Sequence, residues 1–265
     1  MSKQNMTTRL LARLDDTIGW ITFNDPEHHN ALAFEMWAAL PARIDELVSN
    51  GARVIVLHGA GGKAFVSGAN IGEFDKLRNS VEQVATYNRT ADRATEALRH
   101  CAVPTIAMIA GICMGAGAGI AVACDMRYAS DDSMFGIPAA RLGLGYAYDG
   151  MKPIVDLVGL SVAKEMFFTA RRYNAAEALG AGLVNRVFAR DELEPFTRRI
   201  AAEIAANAPL TIRAAKLSIN ETVKPTAEQK RAAAQAAIDA CYASADYREG
   251  RTAFAEKRKP AFKGR

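Results

Sequence analysis

Gly111, Gly115, Gly117 and Gly119 crowd the stretch Ile109–Met126, and Ile120 to Cys124 are all apolar. Glycine lets a backbone turn sharply and lets a ligand reach it with no side chain between. A helix beginning near Ala116 leaves its first N–H groups unpaired and carries positive dipole charge at that end. Such an end can hold a phosphate, a carboxylate or the oxyanion of a reacting carbonyl. The same glycines also suit a tight strand-to-helix packing turn that binds nothing. A second set of chemically capable groups lies in Arg141–Gly150, where Tyr146 and Tyr148 share parity and Asp149 follows. Two readings stand there. Either the tyrosines pack and Asp149 caps a helix starting near Gly150, or a hydroxyl or the carboxylate faces a substrate.

These groups need elements to hold them. Leu10–Asp15 and Ile18–Phe23 alternate around Asp16-Thr17 and read as a β-hairpin. Leu32, Met36, Leu40, Ile44 and Leu47 recur every three or four residues and predict a helix, which Pro41 should kink or interrupt. Val54–Leu57 reads as a buried strand, and Lys63–Asn70 as a loop. Val81, Val84, Tyr87, Ala91, Ala94, Leu98 and Cys101 predict an amphipathic helix leading to the strand Pro104–Ile109. Beyond the glycines and their helix, Met126–Ala129 and Met134–Gly136 are short strands. Strand and helix alternate, so an α/β core with mainly parallel pairing is expected. From Gly150 onward helices dominate: Met151–Val158, Val162–Thr169, Ala175–Leu179, Leu193–Ala206, Leu210–Asn220 and Thr226–Ala243.

The 265 residues, half of them hydrophobic and 23% charged, describe a globular chain with a large core. No apolar run is long enough to span a bilayer. The polar start Met1–Arg9 does not resemble a secretory signal. Cys101, Cys113, Cys124 and Cys241 are widely spaced and read as reduced thiols of a cytoplasmic protein. His28, His29, His58 and His100 show no metal-ligand spacing, so no metal is expected. The net charge is +4, yet Arg248–Arg265 alone holds seven basic and two acidic groups, +5, which leaves −1 for the rest. Basic groups do not cover a whole face, which argues against nucleic acid as a partner. A solvated tail or a patch for a phosphorylated small molecule fits the asymmetry.

Three separated segments together resemble the crotonase superfamily, the enoyl-CoA hydratase/isomerase proteins. They are Ala64-Phe65-Val66-Ser67-Gly68-Ala69-Asn70-Ile71, the stretch Ala110–Asp125, and the C-terminal Ser244–Arg265. Asn30-Ala31-Leu32 and Ala181-Gly182-Leu183-Val184 also fit. The resemblance implies a core of repeated ββα units over residues 1–200, followed by a helical region, 201–265, that trimerises and covers coenzyme A. It implies a homotrimer or a dimer of trimers. The implied ligand is an acyl-CoA thioester, with coenzyme A as part of the substrate and no separate cofactor. By carry-over, the backbone N–H groups of Ala69 and Ala116 form an oxyanion hole. Contacts to coenzyme A are implied for His28, Asn30, Ala31, Ser67, Ala69, Asn70, Ile71 and Gly115. Phe254 and Lys257 are implied to serve the coenzyme A of a neighbouring subunit.

The chain departs from that pattern where the family's hydratases hold two glutamates: these positions are Gly119 and Ala139. Where isomerases and dehalogenases often hold an aspartate, Ala147 stands. Syn addition of water needs one group to deprotonate the water and another to supply a proton, and neither Gly nor Ala can do either. Leu142-Gly143-Leu144-Gly145-Tyr146 and Lys164–Ala170 look most like the superfamily's acyl-CoA decarboxylases, which carry a tyrosine matching Tyr146 but generally keep a glutamate at position 119. The expected enzyme is therefore a lyase or isomerase that works through a thioester enolate. A catalytically impaired acyl-CoA-binding protein is an alternative. So is a hydratase using Asp149 or Glu73.

Overall fold

A computed structural model describes residues 7–265; the start of the polar N-terminal stretch, residues 1–6, lies outside them. The chain opens with the predicted hairpin, β1 (Leu10–Asp15) and β2 (Ile18–Phe23), paired antiparallel with Asp15 opposite Ile18. Helix α1 (Phe34–Ser49) follows and buries Met36, Leu40, Ile44 and Leu47, as the periodicity predicts. Two details differ. Leu32 lies before the helix and forms a parallel bridge with Ala69, and α1 runs through Pro41 without interruption. Proline removes one helical hydrogen bond, and the buried face on either side of it outweighs that loss.

Three successive ββα turns come next. The first is β3 (Val54–Gly59), β4 (Ala64–Val66), the short α2 (Phe74–Leu77) and α3 (Val81–Arg99); the second is β5 (Thr105–Ile109), β6 (Ile112–Met114) and α4 (Ala116–Ala123). The third is β7 (Met126–Ser130), β8 (Met134–Gly136) and α5 (Tyr148–Thr169), the last bent at Gly159. In each turn the first strand enters a six-stranded sheet, ordered β1-β2-β3-β5-β7-β10, and the second a four-stranded sheet, ordered β4-β6-β8-β9. Here β9 is Tyr173–Asn174 and β10 is Arg186–Phe188. All pairs are parallel except β1–β2 and β8–β9. Strands β4 and β6 lie where loop and glycine turn were expected. At three residues each they are too short to show alternation.

The larger sheet is covered on both faces. Ile55 and Leu57 of β3 point into the main core, while Val54 and Val56 point to a second cluster under α7 (Arg190–Ala206) with Trp20, Ile106, Leu193 and Ala201. This explains the unbroken apolar run of β3, since a parallel strand buried on both sides has no polar face. Between β9 and β10 lies α6 (Ala175–Gly180), closed by a capping box of Asn174 and Glu177. Helices α8 (Pro209–Thr222), α9 (Arg231–Ala243) and α10 (Ala245–Ala255) finish the chain. A boundary at residue 200 thus falls inside α7. The expected helix Thr226–Ala243 begins only at Arg231, after a separate short turn Thr226–Glu228.

Candidate active site

Strands β4 and β6 are hydrogen-bonded parallel neighbours, so their carboxyl ends open on the same side, about 4.8 Å apart. From β4 the chain runs through Ser67 and Gly68 to Ala69; from β6 it passes Gly115 to Ala116. The two loops touch, since a methyl on Gly115 would stand 3.9 Å from the Cα of Gly68. Gly115 has φ 50° and ψ −111°, a conformation that L side chains rarely adopt. It starts α4 so that Ala116 is the first helical residue, whose N–H has no intrahelical acceptor. Ala69 is flanked by the hydrogen bonds Leu32 N–H to Gly68 O and Asn70 N–H to Leu32 O, which leaves its own N–H directed away from Leu32. Ala69 and Ala116 line one cavity of about 240 Å³.

Small residues on α4 make this approach possible. A methyl on Gly117 would meet the carbonyl oxygen of Val66 at 2.2 Å, so glycine lets α4 press against β4. Gly119 faces the cavity, and a Cβ there would stand 3.8 Å from the Tyr146 hydroxyl. Gly150 makes room for that ring: its own Cβ would lie 2.9 Å from Cε1 of Tyr146. The Phe167 ring meets Tyr146 edge-on at 5.0 Å. Burial pushes the Tyr146 phenol up to about 12, partly opposed by the positive charge of Arg99. Ala139 and Ala147 also line the cavity.

The remaining expected site residues separate into groups. Gly115, Ser67 and Ile71 line the cavity with Ala69, Ala116 and Tyr146. Tyr148 and Asp149 do not. Tyr148 is exposed and opens α5, whose N-cap is Ala147 with no side-chain cap, so Asp149 is not the expected cap either. Parity separates alternate side chains only in a strand; here a loop turns into a helix between 146 and 148. Asn30 is wholly buried, and its side chain accepts from Asp25 N–H and donates to the carbonyls of Ala60 and Ala64. That side chain is committed to the fold and cannot also reach a ligand. His28 is paired through Nδ1 with Asp25 at 2.8 Å, and its carbonyl accepts from Ser67. Ala31 and the Asn70 side chain are engaged locally, the latter accepting from Gly72 N–H. Glu73 accepts from Phe34 N–H at the start of α1, away from the cavity wall.

Phe254 and Lys257, at and just past the end of α10, do not line this cavity. Phe254 is 88% exposed and edges a groove between α8, α9 and α10. The basic tail is partly self-neutralised: Arg258 makes a two-pronged contact with Glu249, which holds that carboxylate down at about 2. Asp125, at the end of the glycine-rich motif, is a structural joint. It accepts from Thr105 N–H and Oγ1 and pairs with Lys216 at 2.8 Å.

Helix α3 supplies site residues that sequence reading passed over. Asn88, Asp92, Thr95 and Arg99 recur at four- and three-residue intervals, and all four line the cavity. Asp92 is the one carboxylate on the cavity wall among the described residues. Burial, then the nearby Asp149 and Glu96, push it above the ordinary aspartate value. Their spacing beside the apolar stripe of α3 was the available signal. Polar residues flanking such a stripe ordinarily face solvent, so the spacing alone does not mark a site.

A family model described as enoyl-CoA hydratase/isomerase matches residues 13–265. The chain belongs to the enoyl-CoA hydratase/isomerase family. The short-chain-enoyl-CoA hydratase of Clostridium acetobutylicum is 34% identical over 248 residues, covering 92% of this chain and 94% of that protein. The peroxisomal Delta(3,5)-Delta(2,4)-dienoyl-CoA isomerase of Arabidopsis thaliana is 30% identical over 260 residues, with 94% and 93% covered. Among solved structures, an enoyl-CoA hydratase/carnithine racemase from Magnetospirillum magneticum superposes with a TM-score of 0.91 at 35% identity, covering 98% of this chain and 97% of that one. The repeated ββα turns and parallel sheets are thus the fold of this family.

Proposed function

We propose that this family member binds an acyl-CoA thioester and stabilises its enolate between the N–H groups of Ala69 and Ala116. The reaction we assign is not the two-carboxylate addition of water but a lyase or isomerase step, with decarboxylation foremost. The observation that carries this reading is the Tyr146 hydroxyl, which stands over Gly119 in the cavity that the two amides line. In decarboxylation the bond from Cα to the carboxylate breaks and its electron pair passes into the thioester. The oxygen becomes an oxyanion, which two fixed donors stabilise by about 3 kcal/mol each. Tyr146 then gives its proton to Cα and recovers one from solvent. The phenol is protonated at neutral pH, as a donor must be, and burial extends that form further into the alkaline range.

The names of the relatives support a second reading, in which Asp92 acts as the base for hydration. Turnover of malonyl-CoA, methylmalonyl-CoA and crotonyl-CoA decides between them. Loss of CO₂, abolished in Tyr146→Phe, supports the first reading. Hydration of crotonyl-CoA that is lost in Asp92→Asn sinks it. Tight binding without turnover of any ester would mark a protein that holds acyl-CoA and no longer transforms it. We further assign a cytoplasmic homotrimer or dimer of trimers, with Phe254 and Lys257 reaching a neighbour's coenzyme A. Four free cysteines and the exposed Phe254 support that assignment, and light scattering measures the mass.

A further inference from the structure

Arg99 lines the cavity with few partners for its guanidinium. Among the described residues its Nε is enclosed with no hydrogen-bond partner, and its guanidinium donates one long contact, 3.5 Å, to the Asp149 carbonyl. A buried donor left unpaired costs roughly 1–3 kcal/mol and calls for an explanation, most simply a partner that arrives with the ligand. A second guanidinium, Arg78, also lines the cavity. It lies over the rings of Phe74 and Tyr87 at 4.7 and 4.8 Å and reaches Asn88 Oδ1 at 3.4 Å. The cavity wall thus carries two guanidinium groups, Arg78 and Arg99, against the single carboxylate of Asp92, whose charge Arg99 already favours, which leaves one guanidinium in excess. The residues Asn88, Asp92, Thr95 and Arg99 form a polar row along one side of α3, turned into the cavity rather than to solvent. A hydrocarbon acyl chain would leave that row and Arg99 unmatched.

We infer that the acyl group of the substrate carries a carboxylate which Arg99 receives, so that the enzyme takes the CoA ester of a dicarboxylic acid. Arg99 is a specificity-determining residue in this assignment. A planar guanidinium matches a carboxylate through paired N–H donors. The ion pair would fix the orientation of the acyl group over the two amides, whichever of its bonds then changes. The inference rests on the reading of this cavity as an acyl-CoA site, and not on which bond breaks.

Calorimetric titration with succinyl-CoA, butyryl-CoA and free coenzyme A tests it. Succinyl-CoA is expected to bind at least about tenfold more tightly than butyryl-CoA. In Arg99→Leu the ratio should fall to within about twofold while free coenzyme A binds as before, and Arg99→Lys should keep part of the preference. Equal affinities in the unaltered protein, or a preference that survives Arg99→Leu, overturn the inference and leave the proposed function standing. If neither the esters nor coenzyme A binds, both fall. Should Arg99→Leu not fold, the unaltered protein and Arg99→Lys still give the answer.

Discussion

The Tyr146 hydroxyl stands 3.8 Å from the point where a Cβ on Gly119 would lie. A tyrosine from the loop before α5 thus reaches the space into which a longer residue 119 would project.

Tyr146→Phe is therefore expected to lower kcat by about 10²–10³-fold with KM little changed, as loss of a general acid does. The hydroxyl makes no hydrogen bond among the described residues, so the thermal midpoint should stay within a few degrees. A variant that turns over at the original rate would remove Tyr146 from the mechanism.

Ala116→Pro isolates one oxyanion donor. The first position of a helix tolerates proline, because the missing N–H has no intrahelical acceptor there. The rate on any productive ester should drop by about 10²–10³-fold, while circular dichroism stays unchanged. Retention of activity would mean that this amide never meets the thioester oxygen.

The pH profile carries a sign. Burial disfavours the phenolate of Tyr146 and raises its titration to about 12 from the ordinary 10.0. The donor form therefore persists throughout the neutral and mildly alkaline range, and is lost only as pH approaches about 12. An alkaline limb of kcat near 10 that vanishes in Tyr146→Phe would contradict this.

Neighbouring glycines of α4 should respond in opposite ways. Gly117→Ala drives a methyl into the Val66 carbonyl and should cost about 1–3 kcal/mol. Gly119→Ala meets only ordinary contact at 3.8 Å and should be neutral or gain up to about 1 kcal/mol from helix propensity. Urea unfolding of the two variants compares them directly.

Asn30→Ala separates scaffold from ligand contact. It strips partners from Asp25 N–H and the carbonyls of Ala60 and Ala64, and should cost about 3 kcal/mol or more. A stable variant with weakened binding of coenzyme A would restore the ligand role that burial argues against.

Much of the fold could be read from side-chain periodicity. The hairpin β1–β2, the strand β3 and the helix α3 lie where alternation or three-to-four spacing placed them. The helix start at Ala116 followed from glycine density alone. What escaped was too short or too dependent on distant partners. Strands β4 and β6 have three residues each, and their pairing is set by the sheet rather than by pattern. Tyr148 and Asp149 lie off the cavity wall because strand parity does not carry across a loop-to-helix junction. Arg99 and Asp92 were invisible as site residues because a polar row on an amphipathic helix ordinarily means water, and only the packing of α3 beside the loop before α5 turns that row inward.

The amides of Ala69 and Ala116 belong to the main chain, just beyond the paired strands β4 and β6. Almost no codon change erases them; one that encodes proline would. Descendants of this gene can accordingly trade the side chains around the cavity while inheriting the same two main-chain donors unaltered.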